Sequence, residues 1–408
     1  MIHLRRHAQT ALSLFLIAAL LGLLLRYFAI ASIGIDYRYV VHAHSHVALL
    51  GWVYFGLTTL IGHFFLKDII PQKVYARIFW FTLITVIGML LTFPFTGYAL
   101  FSIIFSTAFL IASYLYAWAF FKYIPKYHKN TPAYTVTKYA IIFMLISSIG
   151  PWAIGGVMAT LGPGSVWYRT SIYFYLHFQY NAWMVLGVIG IFLKVLENHD
   201  IRMDPRLFKQ FMTTFNFGMV LTFFLSVLFT EPHQWVYRLS VLGGIIQLFS
   251  FLLLFKFIRK NYLIIGLVFG KMGWQLMRWS FFLLLIKMLM QLLGSFQYTA
   301  ALVTNNTYLT IGFLHLVFLG VVTIALFALL ENAKLIHLNK TGMRLYLLGF
   351  IFTEFIIFYK PAEIILNFPF LPNYNWMLFI ASLLLVISIT SITIFQIKGN
   401  SLKDTSKH

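Results

Sequence analysis

Cysteine is absent from the 408 residues of this chain. That excludes a disulfide framework, a thiolate metal site and a covalently attached c-type haem. Charge is scarce too. Asp, Glu, Lys and Arg make up 10% of the chain, against about a quarter in an average soluble domain. Acidic side chains are the rarest, 10 against 30 Lys and Arg, for a net charge of +20. Such an excess raises nucleic acid as a partner. Here, however, the basic residues fall in short loops on alternate sides of apolar runs, with no basic tail, so no nucleic-acid partner is predicted. Hydrophobic residues are abundant, at 61%. Apolar runs of about 20 residues, the length of a spanning helix, recur from end to end. The composition predicts an all-α polytopic membrane protein whose surroundings are a lipid bilayer, with a single membrane domain over residues 1–408.

Twelve transmembrane helices are predicted, numbered here as spans 1 to 12. They cover Thr10–Ala31, Val41–Leu66, Val74–Phe95, Ala99–Phe121, Tyr139–Leu161, Ile172–Leu193, Phe211–Phe229, Leu239–Phe255, Gly273–Phe296, Leu309–Leu330, Leu345–Phe358 and Trp376–Ile397. The first apolar run, Thr10–Gly34, is too long for the core of a signal peptide and lacks a small-residue cleavage site, so it is read as span 1. Charge asymmetry sets the orientation. With both termini cytoplasmic, five basic residues lie outside (Arg26, Arg38, Arg169, Arg238, Lys360) and Lys287 lies within span 9, leaving 24 of the 30 inside. This is the positive-inside pattern, and it holds only if the count of spans is right. The outer connections "TLGPGSVWYRT" and "NFPFLPNYNW" are rich in turn formers and interfacial aromatics.

Histidine patterning carries the functional signal. Of the 13 histidines, His3, His7, His128, His199, His337 and His408 are assigned to inner loops or tails. His63 lies near the inner end of span 2, and His233 in the outer loop after span 7. The others lie within the membrane: His42, His44 and His46 in "HAHSHVALLGWV", His177 in "YLHFQYNAW", and His315 in "GFLHLVFLG". These spans all enter from the outer side. Arg38, Arg169 and Asn306 precede His46, His177 and His315 by eight, eight and nine residues, which puts each imidazole roughly 12 Å below the outer edge.

Five residues beyond each histidine stands a small residue, Gly51, Ala182 or Gly320. A small residue there lets a flat ligand lie against the backbone. The histidine intervals are 131 and 138 residues, each about four spans. The pattern predicts a threefold internal repeat: three pseudo-symmetric four-helix arcs, each with a histidine on its second helix. Repeats place functional sites at their interfaces. A single membrane histidine is equally explained by a helix–helix hydrogen bond. Three at one depth point to a ligand set, and neutral imidazole suits iron or copper.

Twelve spans with histidines near the outer ends of spans 2, 6 and 10 resemble subunit I of the haem–copper oxidases and the large subunit of the related nitric oxide reductases. The topology is similar over essentially the whole chain; at residue level the likeness is confined to the segments quoted. It implies that "GFLHLVFLG" supplies His315 as one axial ligand of a low-spin haem b. Span 2 supplies the other, with His46 best by depth, His42 on the same face one turn up and His44 pointing away. His177 corresponds to a ligand of the family's copper or second iron.

Three departures stand against a complete dinuclear centre. Phe313 occupies the position of the high-spin haem ligand. Asn181 stands where the reductases keep a glutamate. The His-His pair of span 7 is replaced by the apolar stretch around Leu225–Phe229, with His233 beyond it. The resemblance further implies basic partners for the haem propionates, with Lys360 first and Arg238, Arg169 and Arg38 behind it. In some members a helix 1 arginine touches the low-spin haem, and Arg26 matches it; interfacial snorkelling explains Lys360 and Arg26 as well.

Lys287 and Glu354 are charges inside spans, where a proton path or an ion pair is the expectation. Their possible partners are each other, Arg278 and Lys360. The expected function is a haem-b electron-transfer or sensing protein of a bacterial cytoplasmic membrane, with other respiratory-chain subunits as partners. Two alternatives stand beside it: an active terminal oxidase or nitric oxide reductase with rearranged ligands, and a transporter whose histidine layer binds copper, another metal or a solute.

Overall fold

The computed structural model describes residues 3–404, and side chains to residue 396; His408 lies outside the described residues. Among these residues every regular element is helical, and twelve helices are long and apolar enough to cross a membrane. They are Leu4–Tyr27, Tyr37–Leu66, Gln72–Thr96, Leu100–Tyr123, Pro132–Thr160, Val166–Glu197, Pro205–Thr230, Gln234–Lys260, Tyr262–Leu293, Thr307–Asn332, Lys340–Ile365 and Tyr374–Gln396. These match spans 1 to 12 one for one, and the protein is a multi-pass membrane protein.

The helices start earlier than the apolar runs because polar caps begin them. Asp36 caps span 2 through the amides of Arg38 and Tyr39, and Asp204 caps span 7 with Pro205 in its first turn. A side-chain oxygen at that position satisfies amides that have no partner within the helix. Span 9 extends furthest beyond its prediction, because the chain continues helically across a kink at Gly270, where φ is +67°. One further helix was not predicted: Gln297–Asn305, in the connection between spans 9 and 10.

Contacts divide the chain into two compact units. The first holds spans 1–4, 11 and 12, up to Ile124 and from Leu329 onward. In it Phe15 of span 1 stacks on Trp52 of span 2, with ring centroids 4.8 Å apart. The carbonyl of Thr58 in span 2 accepts from the Tyr116 hydroxyl of span 4 at 3.1 Å. Ser388 of span 12 donates to the Gly342 carbonyl of span 11 at 2.8 Å.

The second unit, Pro125–Ala328, holds spans 5–9 and most of span 10. There the Gln247 amide of span 8 donates to the Phe215 carbonyl of span 7 at 2.9 Å. Ser280 of span 9 donates to the Val321 carbonyl of span 10 at 2.7 Å. Small side chains set the closest approaches: a Cβ on Gly243 of span 8 would meet the Thr222 backbone nitrogen of span 7 at 2.7 Å. Such buried hydrogen bonds and small-residue contacts are how helices associate without a hydrophobic difference from lipid.

Burial singles out three spans. In the most apolar stretch of spans 2, 6 and 10, 83%, 89% and 72% of residues are buried; in no other span does the share exceed 50%. The spans that carry His46, His177 and His315 are therefore the most enclosed of the twelve, while His7 lies near the start of the less buried span 1.

Candidate functional site

Local backbone geometry repeats at the three histidines. In span 2 the α-helix runs to His46 and gives way to a π-helical stretch, Val47–Val53. In span 6 it runs to Leu176, and His177–Met184 is π-helical. In span 10 it ends at His315, and Leu316–Thr323 is π-helical. Hydrogen bonds from residue i to i+5 are rare, cost regularity and cluster at functional sites. One more such stretch, Gly62–Leu66, closes the inner end of span 2 around His63. In each of the three repeats the widened turn includes the predicted small residue: Gly51, Ala182 or Gly320.

The three histidines of span 2 have different surroundings. His44 turns to span 1, where its Nδ1 donates to the Ala18 carbonyl at 2.8 Å. Gly22 gives it room: a Cβ there would lie 2.9 Å from His44 Cε1. His46 donates from Nδ1 to the His42 carbonyl at 2.8 Å. The proton therefore sits on Nδ1, and Nε2 keeps a lone pair. A metal-binding histidine is usually oriented in this way, its second nitrogen anchored to a carbonyl. The Tyr98 hydroxyl lies 3.4 Å from that Nε2. His42, one turn above on the same face, has its ring centroid 4.6 Å from that of Tyr98 and 5.9 Å from that of Phe93. Phe93 also lies 4.4 Å from the His46 ring.

Tyr98 was not picked out by sequence reasoning. The available signal was Gly97 beside it. Its φ of +58° and the Tyr39 ring against its Cα leave no place for a side chain, and the tight turn it makes aims Tyr98 back at span 2.

Gly51 meets span 1 rather than an open slot. A Cβ there would come within 3.1 Å of Leu14 Cβ, so the missing side chain serves a close helix contact. Gly320 and Ala182 are buried.

In the second unit both nitrogens of His177 are engaged. Nε2 donates to the Met219 carbonyl of span 7 at 3.0 Å, and the Asn181 amide donates to Nδ1 at 3.2 Å. His177 is thereby tied to its neighbours, as in the helix-packing alternative. Phe313, at the position of the family's high-spin ligand, packs edge-on against Tyr180 of span 6, with centroids 6.0 Å apart. His233 is exposed and caps span 8. Among the described residues, no three His, Asp or Glu side chains are grouped to hold a metal.

Several of the charged residues are engaged by protein partners. Lys360 pairs with Glu363 at 2.6 Å, and its ammonium faces the rings of Tyr374 and Phe370. Glu363 also accepts from the Leu371 amide at 2.7 Å, closing the turn between spans 11 and 12. Arg26, in the last turn of span 1, is close enough to act electrostatically on His44 and Glu354. Arg278 donates to the Tyr262 hydroxyl at 2.8 Å, and Arg169 to the Tyr173 hydroxyl at 3.0 Å. Lys287 is 1% exposed, with no ion pair or hydrogen bond to any described residue.

Compared with known proteins, the chain matches no family model and no curated protein.

Proposed function

We propose that this membrane protein binds one haem b through His46 and His315 and serves electron transfer or sensing, in the manner of a divergent relative of haem–copper oxidase subunit I. The observation that carries this reading is the coincidence at spans 2, 6 and 10. The three most enclosed helices are those that carry His46, His177 and His315, and each passes from α to π geometry at that histidine. Packing alone does not require the same irregularity at the same register in three separate helices.

The donor set of span 2 suits the group. His46 has one nitrogen anchored and a lone pair on the other, and neutral imidazole is a good ligand for haem iron. Haem held by two imidazoles supplies one-electron transfer and leaves no coordination position for a substrate. His177, occupied on both nitrogens, and Phe313, set against Tyr180, favour this reading over an oxidase or reductase with a second metal. A role for Lys360 toward a propionate would require it to give up Glu363; Arg26 is the better-placed cation, since it acts on the span 2 histidine layer.

The test is the redox spectrum of the purified full-length chain. Low-spin b-type haem, unreactive with carbon monoxide, supports the reading. Haem that binds carbon monoxide favours the oxidase alternative, and a haem-free protein refutes the proposal.

A further inference from the structure

His42 and His46 stand four residues apart on one face of span 2, and Tyr98 leans over both. Two histidines at this spacing on a helix direct their imidazoles to one point and are a common chelating pair for zinc. The Tyr98 hydroxyl, whose ring lies 4.6 Å from that of His42, offers a third ligand beside the pair. Tyr98 Oη lies 3.4 Å from His46 Nε2, which is long for a hydrogen bond between a hydroxyl and a nitrogen. It is, however, the edge of a coordination tetrahedron: two ligand atoms each about 2.0–2.1 Å from a zinc ion stand about 3.3–3.4 Å apart. His42 is half-buried, and no hydrogen bond to a described residue occupies its imidazole. The His46 ring is fixed by its own bond to the His42 carbonyl, so the chelating pair is braced internally. Phe93, 4.4 Å from His46, closes the apolar side, while Tyr98, 52% exposed, leaves the other side open. Asp36 and Arg38, of opposite charge, are both close enough to act electrostatically on His42.

We propose that His42, His46 and Tyr98 form a binding site for a divalent transition metal of the zinc class. The two neutral imidazoles and the Tyr98 phenolate provide three ligands, and the phenol proton leaves to the outer water as the metal–oxygen bond forms. A water molecule fills the fourth position, as in zinc sites with three protein ligands. The site belongs to spans 2–4 alone and does not depend on haem. His46 has one nitrogen to offer, so zinc and haem exclude each other there.

The experiment is a zinc titration of the tag-free, full-length protein prepared free of haem in detergent, by competition with a chromophoric chelator, with the haem spectrum recorded on parallel samples prepared with haem available. Wild-type protein binds one equivalent of zinc. His42→Gln and His46→Gln each weaken binding by about tenfold or more, and Tyr98→Phe weakens it measurably. His233→Ala, which alters an exposed histidine, leaves it unchanged. His315→Ala removes haem and keeps zinc, whereas His42→Gln removes zinc and keeps haem, so the two proposals fail separately. Thermal unfolding midpoints of His42→Gln and Tyr98→Phe near wild type show that the fold persists. Zinc affinity unaltered by His42→Gln or by His46→Gln, or no stoichiometric binding, overturns the site.

Discussion

The imidazole of His46 donates from Nδ1 to the carbonyl oxygen of His42, one turn earlier in the same helix, at 2.8 Å. That bond separates the three histidines of span 2 by role. His44 makes the equivalent bond to another helix, at the Ala18 carbonyl. His44→Ala therefore removes a link between spans 1 and 2 and is expected to cost about 1–3 kcal/mol of stability through the lost hydrogen bond and the space left behind. Haem is retained. Thermal unfolding monitored alongside the haem spectrum distinguishes this from His46→Ala, for which loss of haem is expected.

Gly97 controls Tyr98 through backbone conformation. At φ +58° an L side chain is strained, and the Tyr39 ring already occupies the space. Gly97→Ala is expected to destabilise the protein by about 1 kcal/mol or more and to weaken zinc binding by moving the phenol. Gly34 is the control, because a Cβ added there would meet no atom within 4 Å. Gly34→Ala should change neither property.

How much of this was legible beforehand depends on the type of signal. The twelve spans follow from apolar runs and loop charge, because lipid imposes length and orientation on each helix independently. The importance of spans 2, 6 and 10 was visible in the register of His46, His177 and His315 with Gly51, Ala182 and Gly320. What a single sequence does not contain is which way a side chain turns within a packed bundle. Gly51 meets Leu14, His177 is held on both nitrogens, and Lys360 is taken by Glu363. Tyr98 was missed because it sits just past a glycine in a connection, where neither helical nor strand periodicity assigns it a face.

Lys287 is buried without an ion-pair or hydrogen-bonding partner among the described residues. A lysine amine buried without a partner costs free energy whether it stays charged or gives up its proton, while methionine keeps most of the stem. Lys287→Met is therefore expected to raise the thermal midpoint, by the equivalent of about 1 kcal/mol or more. A lower midpoint would assign the ammonium an interaction on which the fold depends.

The loop before span 5 supplies a pH dependence. Burial, with the Lys194 ammonium nearby, lowers the His128 imidazole from 6.5 to about 4. Between these values the unfolded chain binds a proton that the folded chain does not, so stability falls as pH drops through this interval and is fully present above it. Unfolding midpoints across the interval should show this slope, and His128→Gln should flatten it. An equal slope in the variant would place the titration elsewhere.

The central claim is that His46 and His315 hold one haem b. Its most direct test is the reduced-minus-oxidised spectrum of the full-length protein, wild type against His46→Ala and His315→Ala, each prepared with haem available. The account predicts one low-spin b-type signal in the wild type and none in either variant. The same signal in either variant, or none in the wild type, would contradict it.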